Sequence, residues 1–227
     1  MTAVTISADS APTPAPAGDW ADLSEQALLD AAIALAPDLG WSGAVLTRAA
    51  SRAGISSGEA MLLLPNGPRD LAALLSARHD QAAAESLAGV DAKSLKIRER
   101  IRRGVEARLA AADADHAAAE RWAGFLSLPQ NLPLALRLTW ESADRIWRWA
   151  GDTATDENHY SKRAILSGIL IATLAIRLQS GREAASAHLA ARIDNVMAFE
   201  KWKAGVKPGD LARDIAGALG RLRYGRA

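Results

Sequence analysis

Residues Ala164–Ile176, AILSGILIATLAI, are apolar at almost every position, so a helix built from them has no polar face to turn to water. The run is shorter than the roughly 20 apolar residues that a bilayer-spanning helix requires. Such a helix must be enclosed by the protein's own core, by a subunit partner or by a bound apolar ligand. Gly168 and Ala172 on one edge leave room for a close neighbour, although glycine in mid-helix costs about 1 kcal/mol relative to alanine.

The rest of the chain has the same helical period. From Asp22 onward apolar residues recur at spacings of three and four, without sustained two-residue alternation of β-branched residues, which predicts an all-α fold. Breakers at Pro37–Gly43, Gly54–Gly58, Pro65–Pro68, Pro129–Pro133, Gly151–Asn158, Gly181 and Gly205–Gly209 cut it into roughly nine helices. Residues 1–20 read as a disordered tail: Met1–Gly18 has no Lys or Arg, matches neither a secretory signal nor an Arg-rich transit peptide, and carries an Ala/Pro repeat that favours extended conformers. Three segments follow: a helical unit at 21–78, a larger set of helices at 79–204, and a last helix at 205–227.

Charge and composition exclude several classes of function. Lys and Arg number 27 against 26 Asp and Glu, so any electrostatic partner must be drawn by a local patch. The absence of cysteine rules out disulfides, thiol catalysis and thiolate metal sites, and fits a reducing compartment. The Ala-rich, Arg-rich remainder reads as bacterial and cytoplasmic.

Catalytic patterns are formal only. Gly54-Ile55-Ser56-Ser57-Gly58 matches G-x-S-x-G, but a nucleophile elbow needs a strand before it and this segment follows a helix. Asp113 with His116 and Asp156 with His159 have ligand-like spacing, but the other inward carboxylates of a helical di-metal site are missing. His79 and His188 read as solvated helix positions. No catalytic residue, metal ligand or cofactor is assigned.

The segment Leu28–Leu75 resembles the helix-turn-helix domain of TetR repressors, with a Gly40-Trp41 turn, a second helix near Leu46–Ala53, the Gly54-Ile55-Ser56 turn and a short third helix from Ser57. In a repressor that third helix carries donors for base edges and phosphates. Here it reads Ser57-Gly58-Glu59-Ala60-Met61-Leu62-Leu63-Leu64, lacking Lys, Arg, Asn and Gln and placing Glu59 toward the phosphates, so nucleic acid is not an expected partner.

The stretch Lys96–Lys203 resembles the ubiquinone-biosynthesis lipid-binding accessory family, the ninth of the numbered coenzyme Q proteins, whose members are similar to TetR regulators in fold. The resemblance rests on Lys96-Ile97-Arg98, Val105-Glu106-Ala107-Arg108, Leu128-Pro129-Gln130-Asn131-Leu132-Pro133, the block Ile146–Asp152 and the block Thr155–Ala164. It implies a TetR-like bundle with a helix-turn-helix unit and a larger lipid-binding unit, a homodimer, an isoprenoid or phospholipid ligand, and a surface patch that docks the di-iron hydroxylase of the pathway. It implies no chemistry in this chain. The patch residues implied are Ile146, Asp156, His159 and Tyr160. The family usually has tryptophan at His159 and phenylalanine at Glu157, and histidine makes a weaker or pH-sensitive anchor than tryptophan. For Asp156 a plain helix cap is the competing role.

The residues expected to surround lipid are Leu136, Trp140, Trp147, Ile165, Leu166, Ile169, Leu170 and Leu174. Leu136, Trp140 and Trp147 lie on one stripe, and the others supply aliphatic walls of the kind found in apolar ligand sites. After a Lys207-Pro208-Gly209 hinge, Leu211, Ile215, Leu219 and Leu222 form an apolar stripe accompanied by basic residues including Arg213 and Arg221. Such a helix either lies on an anionic membrane surface or folds against the body; the hinge favours the membrane, and with it a peripheral position at a bacterial inner membrane.

Overall fold

The protein's structure, a computed structural model, describes residues 17–153 and 157–205 of the 227-residue chain. It is an all-α, TetR-like bundle with eight α-helices and two short 3-10 turns among the described residues: α1 (Ala17–Leu39), α2 (Gly43–Ala53), α3 (Ser57–Leu63), α4 (Pro68–Leu87), α5 (Ile97–Ala114), α6 (His116–Leu126), α7 (Leu132–Trp149) and α8 (Glu157–Gly205). It divides into two compact units. One comprises residues up to Ala82 with Ala111–Leu138, and the other Ala83–Ala110 with residues from Thr139 onward. The first unit takes in α6 beside the segment expected at 21–78.

In the first unit α1 packs on α2 and α6. Helix α1 begins at Ala17, inside the expected disordered tail, and continues through Pro37 to Leu39. Pro37, lacking an N–H, costs the helix one backbone hydrogen bond just before its end, and Gly40 at φ 70° then stops it. Trp41 and Trp122 are buried with their indole N–H groups donating to the carbonyls of Pro68 (3.1 Å) and Ala72 (3.0 Å), which removes the cost of burying a polar edge. His79 is not a solvated position: it is 1% exposed, with Nε2 3.0 Å from Asp115 Oδ2. Spacing could not pair residues 36 positions apart.

The turn between α2 and α3 also explains the G-x-S-x-G pattern. Gly54 caps α2 in the left-handed region, and Ser56 caps α3 in a reciprocal capping box with Glu59. The Ser56 hydroxyl accepts from Glu59 N (3.2 Å), while Glu59 Oε2 accepts from Ser56 N (2.9 Å) and Oγ (2.6 Å). Those hydrogen bonds, the hydroxyl's first, hold the Glu59 carboxyl below its ordinary range. Ser56 is thus committed to capping, and Glu59 is folded back rather than presented outward.

The second unit is built around α8, which is broken at Gly181 (φ 82°, ψ −173°), a conformation essentially confined to glycine. The two limbs fold back on each other: Thr173 Oγ1 lies 3.2 Å from His188 Nδ1, and Leu166, Ile169 and Leu170 share one core cluster with Leu189 and Ile193. His188 is accordingly half-buried and bonded, not simply solvated. The core also takes in Ile101, Val105 and Leu109 of α5 and Ala143 and Ile146 of α7. Counted across both limbs, His159–Val196 is long and apolar enough to cross a membrane, longer than the run 164–176 suggested. The break at Gly181 and the buried Arg163 and Arg177 make that stretch a hairpin wall of the core instead of a straight apolar rod.

Candidate functional site: an apolar cavity beside a charged corner

Helix α7 ends with Gly151 at φ 86°, and the N–H of Asp152 returns to Trp147 O (3.0 Å), turning the chain back on itself. This places Asp152, 6% exposed at its side chain, against Lys162 Nζ (2.7 Å) and Arg163 Nη1 (3.0 Å) at the start of α8. Arg163, whose side chain is 2% exposed, also donates to Asp144 Oδ1 (2.6 Å) and to the carbonyl of His159 (3.2 Å). Burial pushes the Asp152 carboxyl up, but hydrogen bonds and charge from Lys162 and Arg163 together outweigh it and hold the group below its ordinary value. The buried Arg163 is thus paired with two carboxylates, each of which also holds a second cation, Arg148 on Asp144 (2.7 Å) and Lys162 on Asp152.

Trp147 joins this corner to the apolar side. Its indole N–H donates to Lys162 O (3.1 Å), and the Lys162 ammonium stands 5.3 Å from its ring centroid. Behind it lies a cavity of about 370 Å³ with apolar walls from Ile97, Ile101, Trp147, Leu166, Ile193 and Val196, and with Arg98, Arg100, Asp152 and Lys162 also lining it. A second cavity of about 420 Å³ lies between the two limbs of α8, beside Gly168, Ala172 and His188, and shares Ile165, Ile169 and Val196 with the first. Each is within the roughly 300–1,000 Å³ typical of small-molecule sites. Gly168 has open space where a Cβ would stand, so its lack of a side chain keeps the second cavity wide.

On the outside of the same unit, Tyr160 is 64% exposed and forms an aromatic group with His159 (centroids 5.2 Å apart) and Trp140 (6.2 Å).

Residues 132–200 match the COQ9 family model. The chain is 31% identical over 158 residues to a protein of Rattus norvegicus named ubiquinone biosynthesis protein COQ9, mitochondrial, a match covering 67% of this chain and 51% of the relative. The protein of the same name from Xenopus tropicalis is 30% identical over 165 residues, covering 68% and 51%. The Homo sapiens protein is 28% identical over 158 residues, covering 67% and 50%. The chain belongs to the COQ9 family. It spans about half the length of the curated relatives it matches.

Within this COQ9-family chain, the structure gathers only part of the expected lipid-facing set. Trp147, Ile165, Leu166 and Ile169 line the cavity. Leu170 is buried in the core and Leu174 packs against it. Leu136 is 61% exposed and Trp140 faces Tyr160; neither lines the two cavities. A helical stripe records which residues share a face of α7, and the neighbours along that face change from solvent to aromatic patch to cavity.

Among the expected patch residues, Tyr160 and His159 are brought together, whereas Ile146 is 6% exposed and sits in the core, so it offers no contact surface. Asp156 lies outside the described residues, as do Leu211, Arg213, Ile215, Leu219, Arg221 and Leu222. Sequence reading missed Ile97, Ile101 and Ile193 as walls, and missed the Asp144–Arg163–Asp152 corner. The blocks Lys96-Ile97-Arg98 and Ile146–Asp152 had drawn attention as family likeness, without any indication that they meet.

Proposed function

We propose that this protein is a non-catalytic accessory protein of ubiquinone biosynthesis that shelters an isoprenoid or phospholipid and presents it at a membrane surface to a di-iron hydroxylase. The observation that carries the reading is the apolar cavity walled by Trp147, Ile165, Leu166 and Ile169 in a chain of this family. Burying hydrocarbon is worth about 0.8 kcal/mol per CH₂, so a few isoprene units in such a slot are retained without any polar contact. The relatives' names place those proteins in ubiquinone biosynthesis and in mitochondria. For this chain, whose composition reads as bacterial, the corresponding place of action is the cytoplasmic face of the inner membrane.

Docking is assigned to the exposed Tyr160 with His159 and to Asp156, membrane contact to the basic amphipathic segment 205–227, and the assembly is a homodimer. Apolar surface left open on α8, including Ile171 at 46% exposure, supports a protein or lipid cover for that helix. DNA reading is not part of the proposal, because α3 exposes Met61 (72%) and Leu62 (82%) where a major-groove helix needs hydrogen-bond donors.

The test is organic extraction of the purified chain followed by mass spectrometry. The expected result is a near-stoichiometric isoprenoid or phospholipid, reduced severalfold in Ile165→Trp, which fills the space shared by the two cavities. An extract free of lipid, together with salt-sensitive retention of duplex DNA, would instead support a TetR-type regulator.

A further inference from the structure

The cavity beside Trp147 is apolar along most of its wall, and three cationic residues also line it. Arg98, Arg100 and Lys162 line it with a single carboxylate, Asp152. That carboxylate is already engaged by Lys162 and by the buried Arg163. Arg100 spends its donors on neutral groups, the carbonyls of Leu95 (2.9 Å), Ala150 (2.7 Å) and Lys93 (3.3 Å), and among the described residues no carboxylate pairs with it. Arg98 reaches only Asp194 (2.6 Å), in a pair whose side chains are 55% and 62% exposed and therefore weakly coupled. Three cationic side chains thus line the cavity against one carboxylate, and Arg100 has no carboxylate partner among the described residues.

We infer that the cavity selects an amphiphile with an acidic head, a phosphate or carboxylate oxyanion on an isoprenoid tail, bound with the oxyanion at Arg98, Arg100 and Lys162 and the tail along Ile101, Ile169 and Val196. This rests on the lipid-binding reading and specifies which class of lipid that site takes. An oxyanion accepts charge-assisted hydrogen bonds from the exposed portions of Arg98 and Lys162 without disturbing the carbonyl bonds that fix Arg100. A neutral prenyl alcohol gains the same apolar burial and none of that attraction.

The experiment is a fluorescence titration of the full chain, read through its tryptophans, with farnesyl phosphate, farnesol and inorganic phosphate as separate probes. Farnesyl phosphate is expected to bind at least about tenfold more tightly than farnesol, the size of one hydrogen bond to a charged group. Inorganic phosphate, lacking the tail, is expected to bind far more weakly than either. Arg98→Gln and Lys162→Gln, each checked for an intact thermal transition, should lower the ratio of farnesyl phosphate to farnesol affinity, because each removes a charge that only the phosphate can use. Equal affinity for the two prenyl probes, or a preference that survives in both variants, overturns the acidic-head assignment and leaves the lipid pocket standing. Inorganic phosphate binding as tightly as farnesyl phosphate also overturns it, because the site would then be a free-anion site. Binding of neither prenyl probe sinks the lipid reading and this inference together.

Discussion

Gly104 on α5 and Ile146 on α7 approach so closely that a Cβ built on Gly104 would lie 2.6 Å from Ile146 Cγ2. In isolation, alanine in mid-helix would be favoured by about 1 kcal/mol. Here the branched carbon it would strike is fixed in the core, so Gly104→Ala should destabilise the second unit by about 1–3 kcal/mol. Urea unfolding of Gly104→Ala, Ile146→Ala and the double variant should show strong non-additivity, the second change relieving the first. Additive losses would mean that the two positions do not press on each other.

Arg163 is the second sensitive point. Replacing it with methionine keeps the volume and removes the buried cation that Asp144 and Asp152 share, leaving Asp144 with Arg148 (2.7 Å) and Asp152 with Lys162 (2.7 Å), which should cost about 1–3 kcal/mol. Adding Asp144→Asn and Asp152→Asn to that variant should recover part of the loss. A denaturation midpoint for Arg163→Met close to wild type would show that Arg148 and Lys162 suffice to hold the two carboxylates.

The same corner sets an acid limit. Asp152 in the folded chain titrates below its ordinary value of 3.8, so its contribution is complete above 3.8 and is lost as pH falls through the lower folded value. Wild-type thermal stability should therefore fall steeply in that acid window, and Asp152→Asn should have a flatter profile there with a lower plateau at neutral pH. Profiles of identical shape would remove Asp152 from the account of acid stability.

Membrane contact is checked separately from lipid binding. Ile215→Asp with Leu219→Asp places two charges on the apolar stripe of the last segment and should abolish flotation with anionic liposomes while extraction still yields lipid. Flotation equal to wild type would assign the membrane surface elsewhere.

Helical class and turns were legible because they are local. Gly54, Gly151 and Gly181 all take left-handed φ where the pattern breaks, and the capping box at Ser56 and Glu59 is written in four consecutive residues. The start of α1 at Ala17 was hidden because Pro16 and the Ala/Pro repeat argue for extension, while a helix can begin directly after proline. The site was half legible. Trp147 declared itself by a helical stripe and Ile165 and Ile169 by an unbroken apolar run, but Arg100 donating to Ala150, 50 positions away, leaves no trace in spacing. Ile146 was misplaced for a related reason: apolar character says that a residue prefers to leave water, not whether a partner protein or a glycine on the next helix receives it.

Without the reversal at Gly181, the 38 residues from His159 to Val196 would make one straight helix of about 57 Å. That rod would exceed the thickness of a bilayer's hydrocarbon, about 30 Å, and would carry Ile193 and Val196 far from Ile169. A single residue without a side chain thus decides whether this sequence doubles back into a walled hollow or runs on as one greasy shaft.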